Sequence, residues 1–340
     1  MRAVEYSQTG PSAVLTMTAR DEPEAGPGEV RVRIHVSGVN PTDWKARAGG
    51  SGGTMLAQPQ VPNQDGAGEI DQVGEGVTGM RVGDRVWLWD AAYQRADGTA
   101  QEVVVLPSRQ AVVLPAAASF DVGAAVGIPA LTAHRALTVS ESGPAQLAPG
   151  ALRGKHILIA GGAGAVGHAA IQLAVWAGAT VISTVSGAEK AELARRAGAH
   201  QVINYRAENV VERINGIAPG GVDIIVEVNP NANLGIDTSV AAPNATIAIY
   251  ADSSLPEAPV PVRPSMVKNL RLQFVLTYTV PAEAKDAAVK AVSLALADGA
   301  LAIGDDAGLP LQRFSLAETG AAHDAVQNGF VGKVLIDVSQ

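Results

Sequence analysis

Three glycines, Gly162, Gly164 and Gly167, stand in the spacing G-x-G-x-x-G between an apolar run, HILIA (residues 156–160), and a segment of helical periodicity. Each glycine answers a different demand. The first turns the chain sharply after a strand, the second lets the backbone approach a diphosphate, and the third lets the following helix pack closely. The helix that starts there adds backbone N–H groups without intrahelical partners and the positive end of its dipole. The chemistry on offer is the binding of an anionic dinucleotide, with a tight turn that holds no ligand as the bland alternative.

The next apolar run, TVISTV (180–185), decides between two dinucleotides. A strand end that serves NAD carries Asp or Glu, which binds the ribose hydroxyls and repels a 2′-phosphate. Here the chain continues Val185, Ser186, Gly187 with no carboxylate at that place, while Ser186 offers a hydroxyl donor and Lys190 a cation four residues on. The expected cofactor is NADPH. Glu189 falls where a first helical turn favours negative charge and reads as solvent-facing. Lys190 has the alternative of an ordinary exposed lysine, and Arg195 and Arg196 read as a solvated helix face.

These residues need a scaffold that ends strands and begins helices along one edge. Six apolar runs supply it: HILIA, TVISTV, QVIN (201–204), DIIVEV (223–228), TIAIY (246–250) and LRLQFVL (270–276), all expected as buried strands. A helix is expected over 166–177, ended by Gly178, and the next, AEKAELARRA (188–197), is ended by Gly198. Strands alternating with helices predict an α/β fold with a doubly wound parallel sheet. The first third differs. VRVRIHVSGV (30–39) alternates apolar and polar residues, and the stretch 66–89 breaks into short strands at glycines and Asp, so a β-rich, barrel-like domain is expected there. After residue 276, a helix near 282–297 and a terminal strand, KVLIDV (333–338), are expected to rejoin the first domain. The expected divisions are 1–122 for the β-rich domain, 123–270 for the cofactor domain, and 271–340 for an edge strand of the cofactor sheet followed by the return.

A length of 340 residues fits two domains. The formal charge of −8 argues against nucleic acid as a partner, because phosphate backbones are met by clustered Lys and Arg. No apolar run reaches the roughly 18 residues of a membrane span. The start MRAVEYSQTG lacks the basic and apolar regions of an export signal, so a cytoplasmic address is expected. The sequence has no cysteine, which removes disulfides, thiolate nucleophiles and Cys-containing zinc sites; the six histidines lack helical metal-site spacing, and no metal is expected. His35 and His134 stand alone in their segments and read as structural.

Seven segments, in order, resemble the medium-chain dehydrogenase/reductase superfamily, and within it the zinc-independent quinone oxidoreductase branch that includes zeta-crystallin. They are NPTDWKARAG (40–49), DGAGEIDQVGEGVTGMRVGDRV (65–86), GAAVGIPALTAHRAL (123–137), GGAGAVGHAAIQLA (161–174), GAHQVINYR (198–206), VDIIVEV (222–228) and GKVLI (332–336). The resemblance spans nearly the whole chain and implies a GroES-like β-rich catalytic domain interrupted in sequence by a Rossmann cofactor domain. It implies that Asn40 and Thr132 lie near the nicotinamide, that Ala163, Gly164, Ala165 and Val166 lie at the diphosphate, and that Ser186, Lys190 and Tyr205 lie at the adenosine 2′-phosphate. Val228, Asn233, Tyr250, Ser253, Phe274, Val275 and Leu276 match positions that wrap the cofactor, and Lys333 matches a C-terminal contact reaching back to it. A homodimer formed through the edge strand around Phe274 is implied as well.

Departures from that branch bear on the substrate. It commonly has a tyrosine two residues after the first motif's Asp, another after that motif's last Gly, and an aromatic residue in the Ile-Pro motif. This chain has Lys45, a Gly/Ser run over 49–53, and Ala130. The pattern N-P-x-D-x-K-x-R-x-G is similar to the enone and alkenal reductases of the same superfamily, in which the matching lysine lies near the substrate. The activity implied is reduction of a quinone, or of a conjugated enone or alkenal, by NADPH, with positioning carrying most of the catalysis. Hydride addition to the β-carbon of an enone leaves charge on oxygen, for which Lys45 is the candidate donor, while Asn40 is placed to orient the carboxamide or the substrate carbonyl. Lys45 has the alternative of pairing with Asp43 or a surface carboxylate. The rival readings are an enoyl-thioester reductase, which the glycine run near Gly52 would accommodate, and a non-enzymatic, crystallin-like NADPH-binding protein.

Overall fold

The computed structural model describes residues 1–50, 53–141, 143–252 and 257–339. The chain divides into two compact units, one made of Met1–Ile128 with Pro310–Gln340 and the other of Pro129–Leu309.

In the first unit the alternation over 30–39 becomes the strand Glu29–Val39, whose inward residues Val30, Val32 and Ile34 are fully buried. It pairs antiparallel with Asp65–Val73 on one side. On the other side, Val103–Pro107 covers its first half and Lys333–Asp337 its second. Register shifts near Arg31/Val32 and Ile34/Val36 bend the strand so that it can serve all three partners. The apolar face joins Val86, Leu88, Val104, Leu106, Val334 and Ile336 in one core. The C-terminal strand therefore completes the sheet begun near the N-terminus, with Leu335 opposite Gly38.

In the second unit six strands form a parallel sheet in the order Gln201–Asn204, Thr180–Val185, His156–Ala160, Val222–Glu227, Ala241–Ile249, Arg271–Phe274. The chain builds outward from His156–Ala160 in one direction and then from Val222–Glu227 in the other. The C-terminal ends of these two neighbours flank a topological switch, where such sheets bind ligands. The apolar runs are continuous because helices cover both faces: Ile157, Leu158, Ile159, Val181, Ile182, Ile224, Ile225 and Val226 are at most 2% exposed.

One expectation needs correcting. Arg271–Phe274 ends the sheet, the edge position expected for it, but it is not the buried strand its apolar run suggests, and Phe274 is 72% exposed. Leu272 packs on the core while its neighbours in the strand face outward, and apolar composition alone does not separate such an edge from a central strand. The chain passes between the compact units at 128/129 and 309/310, beside an expected start of the cofactor domain at 123 and an expected return to the first domain within 271–340. The first falls inside one continuous helix, Phe120–Thr138, where no change of composition marks it. The second lies there because the helix Ala282–Ala297 and the segment behind it belong to the second unit. Gln172 Nε2 donates to Ala302 O at 3.1 Å, Gln172 Oε1 accepts from Ala302 N at 3.2 Å, and His168 Nε2 bonds Ala307 O at 2.8 Å. Among the described residues no helix is long and apolar enough to cross a membrane.

Two glycines in the second unit give opposite expectations. A Cβ at Gly167 would lie 2.4 Å from Gly161 O and 2.9 Å from Gly162 Cα, both rigid backbone, whereas a Cβ at Gly235 meets nothing within 4 Å. In urea unfolding, Gly167→Ala is expected to cost about 1–3 kcal/mol through overpacking. Gly235→Ala, inside the helix Pro230–Val240, is expected to stabilise by up to about 1 kcal/mol.

Candidate active site

Parallel strands bring all their C-terminal ends to one edge of a sheet, and each strand of the second unit delivers a singled-out residue there. His156–Ala160 runs into the turn 161–167, Thr180–Val185 into Ser186, and Gln201–Asn204 into Tyr205. Val222–Glu227 runs into Val228, Ala241–Ile249 into Tyr250, and Arg271–Phe274, which ends on the exposed Phe274, into the buried Val275 and the exposed Leu276. Lys190 and Asn233 follow in the helices Ala188–Arg196 and Pro230–Val240, which start from this edge. Thr132 lies elsewhere in the unit, buried on Phe120–Thr138. Ser253 lies outside the described residues.

The glycine turn separates what the protein needs from what a ligand needs. Gly161 has φ +69°, a left-handed conformation. A Cβ at Gly162 would sit 2.1 Å from Ser183 Oγ, and one at Gly167 would strike the turn itself, so internal packing requires both glycines. Gly164 is exposed, and the nearest atom to its Cβ would be Gly161 O at 3.4 Å, an ordinary contact. Nothing in the fold forbids a side chain there, and the cleared space is what a diphosphate approaching the backbone requires. The helix Ala165–Trp176 has Gly164 as its N-cap, with no side-chain cap. Its backbone ladder opens with His168 N donating to Gly164 O at 2.7 Å, leaving the N–H groups of Ala165, Val166 and Gly167 ahead of it. These residues fit a bound diphosphate.

Beside the turn, Val185 pairs with Asn204, and Tyr205 N donates to Val185 O at 3.1 Å, which sets Tyr205 next to Ser186 across the two strands. Ser186 and Lys190 are half-buried, while Tyr205 and Glu189 are exposed. Arg206, to which the sequence analysis assigns no role, follows Tyr205 with its N–H held by Asn204 Oδ1 at 3.1 Å.

The first unit holds a buried polar network built on Asn40, Asp43, Asp65 and Lys333, none more than 3% exposed. Asn40 precedes the helix Pro41–Ala48, and Asp43 folds back to accept Asn40 N at 2.6 Å and Gln64 N at 3.1 Å. Those bonds tie the helix start to the strand that carries Asp65. Asn40 Nδ2 donates to Asp65 Oδ2 at 2.8 Å, and Lys333 Nζ donates to Asn40 Oδ1 at 2.8 Å while lying 3.7 Å from Asp65 Oδ2. Ile128 N donates to both Asp65 oxygens, at 2.9 and 3.0 Å, and the approach works because residue 127 is glycine: a Cβ there would sit 2.2 Å from Asp65 Oδ1.

Burial dominates the electrostatics. It pushes Asp65 up to about 6, against the opposing pull of Lys333, Asn40 and Ile128 N–H. Burial and the charge of Asp65 push Asp43 up to about 7. Lys333 is lowered by burial, with Asp65 and Asp43 acting against the shift. The consequence for Asn40 is a fixed amide with one N–H left to donate. Lys333 has its ammonium on Asn40, and Lys45 lies exposed on the helix that Asn40 opens. His134 is buried with Nε2 accepting Leu147 N at 3.2 Å, and His35 stacks on Phe120 at 4.4 Å, both structural placements.

Asp43 and Asp65 are the members of this network that sequence reading did not assign. Asp43 had a signal, since Asn, then Pro, then an acid at the third helical position is a helix-start pattern. The burial of Lys333 had none.

A parallel sheet of this strand order, with a glycine turn at its switch point and a separate β-rich unit, defines a nicotinamide-dependent oxidoreductase. Residues 26–116 match the alcohol dehydrogenase GroES-like domain and residues 165–293 match the zinc-binding dehydrogenase family. The chain is 33% identical over 239 residues to the quinone oxidoreductase of Rattus norvegicus, covering 70% of this chain and 69% of that one. It superimposes on Escherichia coli quinone oxidoreductase complexed with NADPH with a TM-score of 0.79 at 25% identity, over 99% of this chain and 100% of that one. It superimposes on an NAD-dependent alcohol dehydrogenase with a TM-score of 0.86 at 25% identity, over the whole of both chains. The chain belongs to the medium-chain dehydrogenase/reductase superfamily, in its quinone oxidoreductase branch.

The two raised aspartates make a pH prediction. Both have folded-state values above the unfolded one of about 3.9. The unfolded chain then binds fewer protons than the folded one between about pH 4 and about pH 7, and this contribution to stability is lost as pH rises through that window. In thermal unfolding, Asp43→Asn, which cannot ionise, should show a shallower decline between about pH 5 and about pH 7 than the native chain.

Proposed function

We propose that this chain reduces quinones, or conjugated enones and alkenals, with NADPH and without a metal ion. The observation that carries the cofactor choice is the end of the strand Thr180–Val185. Ser186 and Tyr205 adjoin there, Lys190 follows in the next helix, and the strand ends on Val185, Ser186 and Gly187 rather than on a carboxylate. A hydroxyl, a phenol and an ammonium around one point suit a 2′-phosphate, which the Asp or Glu of an NAD site would repel. The metal-free reading is supported by the absence of cysteine from the sequence, since alcohol-oxidising relatives with catalytic zinc need such ligands on a Lewis acid.

When bound, NADPH supplies the hydride. The chain's own part is positional. Ala165 and Val166 present N–H groups to the diphosphate, and Asn40, held between Asp65 and Lys333, keeps one amide N–H for a carboxamide or a substrate carbonyl. Lys45 is the donor assigned to the oxygen on which charge develops when the β-carbon of an enone is reduced. Val228, Asn233, Tyr250, Phe274, Val275 and Leu276, with Ser253, complete the cofactor's surroundings in this reading, as do Thr132 and Lys333.

Self-association belongs to the same reading. The edge strand Arg271–Phe274 exposes Phe274 at 72%, and the nearby Met266 and Val267 are 60% and 67% exposed, an apolar edge suited to a second copy. Phe274→Lys is expected to convert the dimer to single chains in light scattering.

Following NADPH absorbance with 9,10-phenanthrenequinone, a small enone and crotonyl-CoA decides the acceptor. Turnover is expected with the first two; turnover with crotonyl-CoA alone would favour a thioester reductase, and tight binding without turnover a non-enzymatic protein. Lys190→Ala is expected to raise KM for NADPH about tenfold while leaving NADH kinetics unchanged, the effect of losing one charged hydrogen bond.

A further inference from the structure

At the C-terminal end of Val222–Glu227, beside the topological switch, two carboxyl groups are buried together. Glu227 is 0% exposed and Asp237, on the helix Pro230–Val240, is 2% exposed. Glu227 Oε1 accepts the backbone N–H of Asn229 and, at 2.9 Å, Nδ2 of Asn233. Glu227 O accepts Tyr250 N at 3.1 Å. One residue thereby ties together Asn229, Asn233 and Tyr250, all of them past the ends of two neighbouring strands. The next residue, Val228, lies against the glycine turn, since a Cβ at Gly161 would come within 3.2 Å of Val228 Cγ1.

The remaining oxygens, Glu227 Oε2 and Asp237 Oδ2, are each buried without a partner. The two side chains are within hydrogen-bonding reach of one another. Two buried carboxylates cannot both be charged at such a distance, and two acceptors cannot bond. A single proton placed between them removes both difficulties.

We propose that Glu227 and Asp237 hold one proton between their carboxyl groups, and that through it they act as positioning residues for the turn carrying Val228, Asn229 and Asn233 at the cofactor edge. This positional role rests on the cofactor reading given above. The groups facing the pair are the amides of Val228, Asn229 and Asn233 and, from the adjacent strand, Tyr250. Burial and the charge of Glu227 push Asp237 up to about 9, and the same two causes raise the Tyr250 phenol. The shared proton is therefore retained at neutral pH and lost in alkali, when the paired charges repel and the turn is no longer held.

The infrared difference between the full chain and Asp237→Asn, whose amide supplies a permanent donor, should contain a protonated-carboxyl band at about pH 8, where Asp43 and Asp65 have largely lost their protons in both proteins and cancel. Asp237→Leu should weaken NADPH binding about tenfold at neutral pH, and Asp237→Asn should recover most of that loss. The ratio of the wild-type dissociation constant to that of Asp237→Asn should rise about tenfold between about pH 8 and about pH 10. Absence of the band, or a ratio that does not change with pH, overturns the shared proton. A band accompanied by no NADPH uptake in any of the proteins overturns instead the cofactor reading on which the positional role depends.

Discussion

The N–H groups that open the helix Ala165–Trp176 need an acceptor the helix cannot supply, and the rest of the cofactor unit is arranged around that need. A diphosphate would meet it only if the backbone could be approached closely, and Gly164 keeps a clear face although nothing in the fold would collide with a side chain there. The neighbouring glycines serve the protein instead, letting turn, strand and helix pack at distances that exclude a Cβ. The parallel sheet carries this turn to the same edge as Ser186, Tyr205, Val228 and Tyr250. Reversal of strand order at His156–Ala160 and Val222–Glu227 separates the helices that would otherwise close over it.

An acidic chain that holds an anion must do so by local geometry rather than by net charge. In the proposed reading the backbone does so at the diphosphate, where oriented N–H groups and a helix dipole stand in for a cluster of cations. The buried ionisable groups follow a related logic. In the first unit Asp65 is balanced by Lys333, Asn40 and the Ile128 N–H, so removal of one partner would leave the others desolvated and uncompensated. In the second, the described residues that act on Glu227 and Asp237 are amides and each other rather than a cation, and a proton takes that place. Both arrangements fix polar side chains, Asn40 in one and Asn233 in the other, that an exposed position would leave to rotate.

Family membership sets the frame, and the proposed choice of acceptor rests on this chain's departures from it. Lys45 in place of a tyrosine, and Ala130 in place of an aromatic residue, exchange stacking surface for a charge and for space. Lys45 is exposed on a helix whose start is locked by the Asp43 carboxylate. In the proposed reading, a cation on that base suits a developing oxyanion better than it suits a flat quinone ring.

Local pattern alone determined the strands of the parallel sheet, the two helices after its first and second strands, and the glycine turn between them. Period, apolar run length and glycine placement are encoded within a dozen residues, and these elements obey them. Resemblance marked the edge strand around Phe274, but its exposure and the passage between units inside Phe120–Thr138 are not legible in local pattern, because which side of a strand is covered, and where packing changes partner within a helix, depend on residues far along the chain. The buried pairs were hidden for the same reason: Asp65 meets Lys333, and Glu227 meets Asp237, only once strands and helices are assembled. Sequence marked the glycine turn as a candidate anion site by the chemistry of its own residues, while tertiary structure alone decided which charges lose their water and so which of them must share a proton or a partner.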